Sequence, residues 1–374
     1  MVDAPASKSN RRVWYGPTDS VALKLLAIAG LLYLFLLSIT LLGASFKLFG
    51  SGFAETIFHA TSNPIVGLVI GVLATAIIQS SSTTTSIIVG LVASGVLSFE
   101  SAIPMVMGAN IGTSITNIIV SMGHISRRGE FRRAFCGSML HDIFNVCAVA
   151  VLLPLEIYFG LIQKTAWLLE GLFVGFGGLK FGSPLKAVTE PVAHEILHLS
   201  GDSGWIGVAV ALLLLFVALR YIVKVLRSLV LARVEKFFQR FIFRTPALGF
   251  ILGAAITVLV QSSSITTSIV VPLLGAGVIT TRQIYPYLLG ANVGTTITAF
   301  LAAFVTGSPD AVSVAFAHLT FNVYGIAVFW PLKSIPIFLA EKLSDLTLKS
   351  RLVPLIYIVV VFFITPGVII FFME

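Results

Sequence analysis

The chain has 374 residues, of which 57% are hydrophobic and only 11% are charged, and its formal net charge is +8. A soluble domain carries about 25% charged residues, so a chain this apolar, with a mean hydropathy of +1.01, cannot cover a surface that faces water. The Lys and Arg residues cluster between apolar segments, which is typical of cytoplasmic loops and not of a nucleic-acid groove. The composition predicts an integral membrane protein and excludes a soluble domain and a nucleic-acid-binding protein.

The first part of the chain is predicted to form a tail, a membrane span, a hairpin and a broken helix, in this order. Residues 1–20 are polar and are predicted to be a cytoplasmic tail, and residues 21–42 are long and apolar enough to span a membrane. Residues 64–97 are too polar at their centre for a simple span, which predicts a re-entrant hairpin of two short helices with the polar run at its tip. The stretch 101–122 then crosses inward as a broken helix, and the arginine-rich loop after it indicates the cytoplasmic side.

The second part of the chain repeats this order. A span, an acidic connecting segment and another span lead to a second basic loop, a second hairpin and a second broken helix. The predicted organisation is a cytoplasmic N-terminal tail at 1–20, a first transmembrane repeat at 21–162 with hairpin 64–97, an extracytoplasmic connecting segment at 163–203, a second, inverted repeat at 204–332 with hairpin 246–279, a cytoplasmic loop at 333–351 and a last span at 352–374.

Two pairs of motifs show that the chain is internally duplicated. The sequence at 79–86 reads QSSSTTTS and that at 261–268 reads QSSSITTS, an offset of 182 residues (261 − 79). The same offset relates GANIGTSIT at 108–116 to GANVGTTIT at 290–298. A duplication of such long period in a hydrophobic chain is typical of a transporter built from two repeats.

The charges that flank the two repeats predict that the repeats are inverted. An acidic loop precedes the first hairpin and a basic loop follows its broken helix, whereas this order is reversed around the second hairpin. Because Lys and Arg stay on the cytoplasmic side, the two polar tips are expected to reach the midplane from opposite faces. The predicted fold class is an all-α polytopic membrane protein with two inverted repeats, each containing a re-entrant helical hairpin and a broken transmembrane helix. Such repeats build one central site with alternating access.

The paired motifs resemble those of the type II sodium/phosphate cotransporter family. The segments HDIFN at 141–145 and VLLPLE at 151–156 are also similar to that family, and the resemblance covers residues 60–160 and 245–365. The connecting segment has no cysteine and is shorter than the glycosylated, disulfide-linked loop of the animal members, which suggests a bacterial-type member. The resemblance implies sodium-coupled symport of inorganic phosphate across the inner (plasma) membrane by alternating access, and no enzymatic activity.

The resemblance also implies which residues bind the two ions. The hairpin tips offer hydroxyls, amides and backbone groups but no cation, so co-bound sodium is expected to balance the charge of the anion. The residues that resemble the family's phosphate contacts are Ser82, Thr83, Thr84, Ser262, Ser263 and Ser264. The residues that resemble sodium ligands are Gln79, Asn110, Thr113 and Thr116 in the first repeat, and Gln261, Asn292, Thr295 and Thr298 in the second. Sodium is the only metal expected, as a co-transported ion, and no cofactor is expected.

Asp142 is an acid inside an apolar segment, and an ionisable residue at such a place is a functional-site hypothesis. Its counterpart in the second repeat is Leu319, so only one half of the chain carries this carboxylate. In the family this acid accompanies the electrogenic members, where it supports an additional sodium, and the resemblance assigns Asp142 and Asn145 to sodium binding. Those members carry alanine where this chain has Cys136 and Ser138.

Three other functions stay open on the sequence. The same architecture could carry another anion, such as sulfate or a dicarboxylate. A dicarboxylate site is expected to use a cation or amide at each end, and no Arg is expected near the tips. The sequence HEILH at 194–198 matches the zinc-protease pattern HExxH, with Asp202 as a third ligand nearby, and a channel is the third alternative. The expected partners are phosphate, sodium ions and membrane lipids, with a homodimer kept open and no nucleic acid.

Overall fold

The computed structural model describes residues 21–175, 182–241 and 245–373. The predicted tail and the middle of the connecting segment lie outside the described residues, and so do the side chains of the basic loop at 227–244. Within the described ranges the chain is helical and contains no strand. Seven helices there are long and apolar enough to cross a membrane, or eight if α2 and α3, which meet at 99°, count as one span. These helices confirm the all-α polytopic fold class.

The helices divide into two sets in chain order. The helices as far as the connecting segment are α1 (Val21–Lys47), α2 (Gly50–Thr61), α3 (Pro64–Ile78), α4 (Ser81–Ala93), α5 (Phe99–Gly112), α6 (Ser114–Ser121), a 3-10 turn (Met122–His124), α7 (Arg128–Phe159), α8 (Leu161–Gly175) and α9 (Gly182–Leu199). Those that follow are α10 (Gly204–Phe241), α11 (Pro246–Val260), α12 (Ser263–Gly275), α13 (Thr281–Thr306), α14 (Pro309–Phe329), α15 (Ser334–Lys349), α16 (Val353–Val359), a π turn (Val360–Ile364) and α17 (Thr365–Met373).

Both predicted hairpins are pairs of short helices that start with the same local chemistry. The side chain of Asn63 caps α3 and that of Thr245 caps α11, each accepting a hydrogen bond from a backbone N–H of the first turn, at 2.9 and 3.2 Å. Pro64 and Pro246 follow these caps directly. Proline suits the first helical position because it has no N–H to leave unpaired there. The pairs α3–α4 and α11–α12 are therefore specified locally, in both repeats.

The first helix of each pair crosses the helix after the hairpin at backbone contact. A Cβ placed on Gly108 of α5 would lie 1.9 Å from the carbonyl oxygen of Leu68 in α3. A Cβ on Gly290 of α13 would lie 1.9 Å from the carbonyl oxygen of Phe250 in α11. Small residues let membrane helices approach this closely, so these glycines serve packing, and they do so identically in the two repeats.

The predicted break in the helix after each hairpin is wrong for the second repeat and slight in the first. α13 runs without interruption through all 26 of its residues. Between α5 and α6 only Thr113 leaves the regular helix, and its φ of −60° and ψ of −25° stay in the helical region. The small residues that suggested a break instead allow the backbone contact described above, and tertiary packing overrides their low helix propensity.

The polar runs are mostly helical and form only a short tip. Two residues, Gln79 and Ser80, lie between α3 and α4, and two lie between α11 and α12. The rest of each run forms the first turns of α4 or α12, where hydroxyls bond to carbonyls four residues earlier, as Thr85 does to Ser81 at 2.8 Å. Such bonds satisfy a hydroxyl inside a helix, which is why these runs of Ser and Thr do not break it.

Residues 333–351, predicted as a loop, contain the 16-residue helix α15. Its buried residues are Pro336, Ile337, Ala340, Ser344 and Thr347. Their three- and four-residue spacing is that of an amphipathic helix, a signal that the scattered lysines of this segment obscured. α15 packs against α7, where the Arg132 guanidinium donates to the carboxylate of Asp345 at 2.6 Å.

Candidate functional site

The two polar tips line one cavity of about 740 Å³. The first tip contributes Gln79, Ser80, Ser82 and Thr83, the second contributes Gln261, Ser262, Ser264 and Ile265, and Thr116 of α6 adds a further hydroxyl. The equivalent residues of the two repeats therefore face the same space, as expected for a site built between two repeats.

A glutamine in a rare backbone conformation ends the first helix of each hairpin. Gln79 has a φ of 60° and Gln261 a φ of 55°, in the left-handed region where residues other than glycine are uncommon. The Nε2 of each donates to a carbonyl of the preceding helical turn. This bond fixes the amide so that its Oε1 accepts a hydrogen bond from Thr116 at 3.1 Å in the first repeat and from Thr298 at 2.9 Å in the second. The strained turn thus aims a carbonyl oxygen at the following helix.

The second helix of each hairpin starts at the cavity. Ser80 and Ser262 are the N-caps, and their hydroxyls accept the backbone N–H three residues later, at 3.2 and 3.4 Å. A helix N-terminus carries a partial positive charge and N–H groups with no partner inside the helix, so it suits an oxyanion. Ser82 and Ser264, at equivalent positions, lie in these first turns and on the cavity wall. The uncharged tips therefore present two positive helix ends to one space.

Most of the predicted phosphate ligands line this cavity. Those that do are Ser82, Thr83, Ser262 and Ser264. Thr84 and Ser263 are buried and do not line it, and the Thr84 hydroxyl donates to the backbone carbonyl of Ser80 at 3.1 Å. The sequence-based assignment missed the Ser80 side chain as a wall residue, although it is the equivalent of Ser262 under the 182-residue offset.

The predicted sodium ligands fall into three groups, of which the third, Asn292, Asn145 and Asp142, is described below. The two glutamines, Thr116 and Thr298 form the tip contacts described above. Asn110, Thr113 and Thr295 are buried away from the cavity, and their side chains donate to carbonyls four residues earlier, at 2.9, 3.0 and 2.9 Å. The hydroxyl and amide oxygens of these residues keep acceptor lone pairs, so the bonds leave them able to hold a cation.

A buried chain of hydrogen bonds joins the two repeats. The amide of Asn292 donates to Oδ1 of Asn145 at 2.8 Å, and the amide of Asn145 donates to the backbone carbonyl of Asn110 at 3.1 Å. Nε2 of His141 lies 2.6 Å from Oδ1 of Asn292, and the Ser114 hydroxyl lies 3.3 Å from Nδ1. Because an amide oxygen only accepts, Nε2 carries the imidazole proton. The chain brings three predicted ligands together and adds His141, which the assignment omitted.

Asp142 is fully buried next to this chain. Its Oδ2 accepts a hydrogen bond from the hydroxyl of Tyr357 at 2.5 Å, so the last span contributes to the site. Its Oδ1 makes no hydrogen bond within the described part of the chain, although the Ser114 hydroxyl lies in its neighbourhood. A buried carboxylate oxygen left without a donor is costly, and a hard cation would satisfy it.

A helix outside the two hairpins forms one wall of the cavity. The residues of α10 on this wall are Phe216, Leu219, Arg220, Tyr221, Val223 and Lys224. The expectation that no Arg lies near the tips is therefore wrong, because folding brings Arg220 to the cavity that they line. The sequence carries a signal for this residue, since Arg220 falls inside the apolar span Gly204–Leu226 and a cation within such a span indicates a functional site.

The HExxH motif lies apart from the tips, on α9. Its residues His194, Glu195 and His198 are exposed, and His194 and Asp202 line a second cavity of about 340 Å³ beside α1. Across residues 21–175, 182–241 and 245–373, no three His, Cys, Asp or Glu side chains lie close enough together to hold a metal ion. The geometry therefore gives the metalloprotease alternative no support.

Comparison with known proteins supplies the family. A model of the Na+/Pi-cotransporter family matches residues 34–184 and 214–365. Sodium-dependent phosphate transport protein 2A of Rattus norvegicus is 35% identical over 427 residues, which cover 93% of this chain and 67% of the relative. The 2A protein of Oryctolagus cuniculus is 35% identical over 434 residues (94% and 68%), and the 2B protein of Homo sapiens is 32% identical over 442 residues (92% and 64%). No solved structure matches the chain. Each of the two matched blocks contains one of the two polar motifs. The chain therefore belongs to the Na+/Pi-cotransporter family.

Proposed function

We propose that this protein carries inorganic phosphate across the inner (plasma) membrane together with sodium ions. One observation supports this function above the others: two equivalent QSSS tips present hydroxyls and helix N-termini to a single cavity of about 740 Å³. Family membership and the names of the relatives agree with it. Within the described ranges, seven helices are long and apolar enough to span a membrane, and they supply the multi-pass frame that a transporter requires.

Phosphate binds between the tips in this proposal. Ser82 and Ser264 contact its oxygens from the first turns of α4 and α12, with Thr83 and Ser262 beside them. Hydroxyls both donate and accept, so they suit phosphate in either of its common protonation states. The backbone N–H groups at the two helix starts add donors and partial positive charge.

Sodium binds where tip oxygens meet the following helix. Oε1 of Gln79 with Thr116, and Oε1 of Gln261 with Thr298, are two such pairs of neutral oxygens, and hard cations prefer oxygen ligands. The tips themselves hold no full charge, and their partial charges do not neutralise a phosphate bound between them. Anion and cation therefore stabilise each other, and this mutual dependence is the physical basis of coupling.

Alternating access follows if the two repeats are inverted, with the N-terminus in the cytoplasm. The distribution of Lys and Arg supports that orientation, and the two tips with their matching turns support a shared midplane site. The proposed organisation is the one predicted from the sequence, with repeats at 21–162 and 204–332 and the segment 163–203 outside. α4 packs on α13 and α12 packs on α7, so each hairpin contacts the opposite repeat. A rocking motion between the repeats would act at these two contacts.

Sodium dependence of phosphate binding tests this function at equilibrium. In purified protein, saturating sodium should tighten the binding of radiolabelled phosphate by about tenfold or more, and phosphate should tighten sodium binding by the same factor because coupling is reciprocal. Choline at equal ionic strength is the control, and sulfate should not displace the phosphate. Phosphate binding of equal strength in choline and in sodium would contradict the proposal.

Asp142→Asn should change the coupling more than the phosphate site. The substitution removes the carboxylate charge but touches no hydroxyl or amide of the two tips. We expect the variant to move phosphate with a lower sodium-to-phosphate ratio and one less positive charge per cycle. The reversal potential, or paired sodium and phosphate fluxes in proteoliposomes, measures this ratio. An active variant with an unchanged ratio would exclude the additional sodium at Asp142.

His194→Ala and Glu195→Ala should leave phosphate uptake nearly intact. Both side chains are exposed on α9, away from the cavity between the tips. Uptake by each variant and the zinc content of the purified protein are the measurements. Loss of bound zinc together with loss of activity would reverse the assignment in favour of the metalloprotease.

A further inference from the structure

The cavity between the two uncharged hairpin tips has one wall that carries charged residues. Arg220 and Lys224 of α10 line the cavity opposite hydroxyls of both hairpins. They are four residues apart, so they lie on the same face of the helix, and both side chains are exposed. Neither forms an ion pair with a carboxylate whose side chain the structure describes.

The position of these cations in an apolar span calls for a water-filled cavity or a partner. Arg220 and Lys224 both belong to the apolar span Gly204–Leu226, where a charged side chain is expensive and normally faces a wet cavity or a partner. Nζ of Lys224 lies 5.7 Å from the centroid of the Tyr221 ring. A cation–π contact holds an ammonium group in place while leaving its charge available.

We propose that Arg220 and Lys224 are specificity-determining residues that attract the phosphate anion into the cavity and favour its divalent form. This role rests on the proposed function and goes beyond the hydroxyl site at the tips. Cations in the wall of a low-dielectric cleft raise the local concentration of an anion and stabilise it over several ångströms without direct contact. The hydroxyls then fix the orientation of phosphate, and the two cations favour its negative charge.

The phosphate group that Arg220 and Lys224 attract could also come from a lipid headgroup. Basic residues toward the end of a span also bind the phosphate groups of anionic lipids. A membrane of phosphatidylcholine alone offers no anionic lipid, so a role confined to lipids would disappear there. A role in attracting free phosphate would persist.

Equilibrium binding of radiolabelled phosphate tests this inference. The full chain is placed in nanodiscs of phosphatidylcholine at saturating sodium, and ionic strength is varied with choline chloride. For the double variant Arg220→Gln/Lys224→Gln we expect a Kd for phosphate raised on the order of tenfold at low ionic strength, since two unit charges are lost from the wall. The difference should shrink at high ionic strength because salt screens it. It should also be larger at alkaline pH, where phosphate is divalent, than at acid pH.

Three further variants separate charge from structure. Arg220→Lys keeps the charge and should keep the Kd. Lys224→Gln alone should show part of the rise in Kd, and it takes the place of the double variant if that protein folds poorly. Lys342→Gln is the matched control, because Nζ of Lys342 also lies over an aromatic ring, at 5.6 Å from the centroid of Phe338, but on α15 outside the cavity. The control removes the same charge and should leave the Kd unchanged.

Two results would overturn the inference in distinguishable ways. If the wild type binds phosphate with sodium but the double variant has an unchanged Kd, or one that rises equally at all ionic strengths, the charged wall has no such role and the proposed function stands. If the wild type shows no sodium-dependent binding of phosphate, both the inference and the proposed function fail.

Discussion

Replacing Ser82 or Ser264 by leucine is expected to abolish phosphate transport while leaving the protein folded. Both residues lie in the first turn of a hairpin's second helix and line the cavity between the tips. Leucine removes a hydroxyl that both donates and accepts, and it fills the space in front of the helix N-terminus where an oxyanion would sit. Uptake of radiolabelled phosphate into proteoliposomes, with the amount of inserted protein measured in parallel, gives the result. The loss should exceed about a hundredfold, because buried hydrogen-bond partners of the anion are left unmade.

Ser94→Leu provides the matched control for this experiment. Ser94 is the C-cap of α4, the helix that begins at the first tip, and its hydroxyl donates to the carbonyl of Leu91 at 2.8 Å, away from the cavity. The control should transport phosphate at close to the wild-type rate. Wild-type uptake by a well-inserted Ser82→Leu variant would remove the tips from the phosphate site.

Alanine in place of Gly108 or Gly290 is expected to prevent assembly of the repeat that carries it. The added methyl carbon would lie 1.9 Å from the backbone oxygen of Leu68 or Phe250. A backbone carbonyl cannot rotate away as a side chain can, so the two helices must separate. Overpacking costs about 1–3 kcal/mol when side chains can adjust, and more is expected here. The yield of monodisperse protein and its thermal midpoint in detergent are the measurements.

Gly30→Ala and Gly43→Ala are the controls for this prediction. Both glycines lie in α1, and apart from the surrounding backbone of α1 no atom of the described residues lies within 4 Å of the position that a Cβ would take. Alanine should leave the thermal midpoint unchanged or raise it slightly, because glycine costs a helix about 1 kcal/mol relative to alanine. A Gly108→Ala protein as stable as these controls would mean that α3 and α5 do not cross at backbone contact.

The helices and the start of each helix pair could be predicted from the sequence because local signals specify them. Apolar length predicts the spans, and a capping residue followed by Pro64 or Pro246 marks where each hairpin starts. The left-handed turn at Gln79 could not be predicted, since glutamine rarely adopts it and only the surrounding packing enforces it. The continuity of helix α13 could not be predicted either, because its glycines suggest a bend. In the structure they allow backbone contact with α11 instead.

The wall residues of the cavity illustrate a second limit of sequence reasoning. Arg220 and Lys224 are distant from both tips along the chain, and only the packing of α10 brings them to the same space. Asp142 was recognised as an acid in an apolar segment, but its partner Tyr357 belongs to the last span and has no motif. Contacts of this kind depend on tertiary structure and leave little trace in local patterns.

Equivalent sequences also acquire different partners in the two repeats. His141 lies within hydrogen-bond distance of Asn292, and Asn292 donates to Asn145. In the second repeat both ring nitrogens of His318 and Oδ1 of Asn322 find no hydrogen-bond partner among the described residues. The two halves therefore adopt different local arrangements of the same HxxFN pattern, as expected if one conformation of an alternating-access cycle makes the repeats inequivalent.

Phosphate uptake driven by a sodium gradient tests the central claim most directly. Purified protein is reconstituted into proteoliposomes, and radiolabelled phosphate is supplied outside with either an inward sodium gradient or equal sodium on both sides. Coupling predicts that the gradient drives phosphate above its equilibrium level inside, that the excess collapses when a sodium ionophore is added, and that a Ser82→Leu protein shows none of it. Uptake that only equilibrates phosphate, at the same rate with and without the gradient, would contradict sodium-coupled transport.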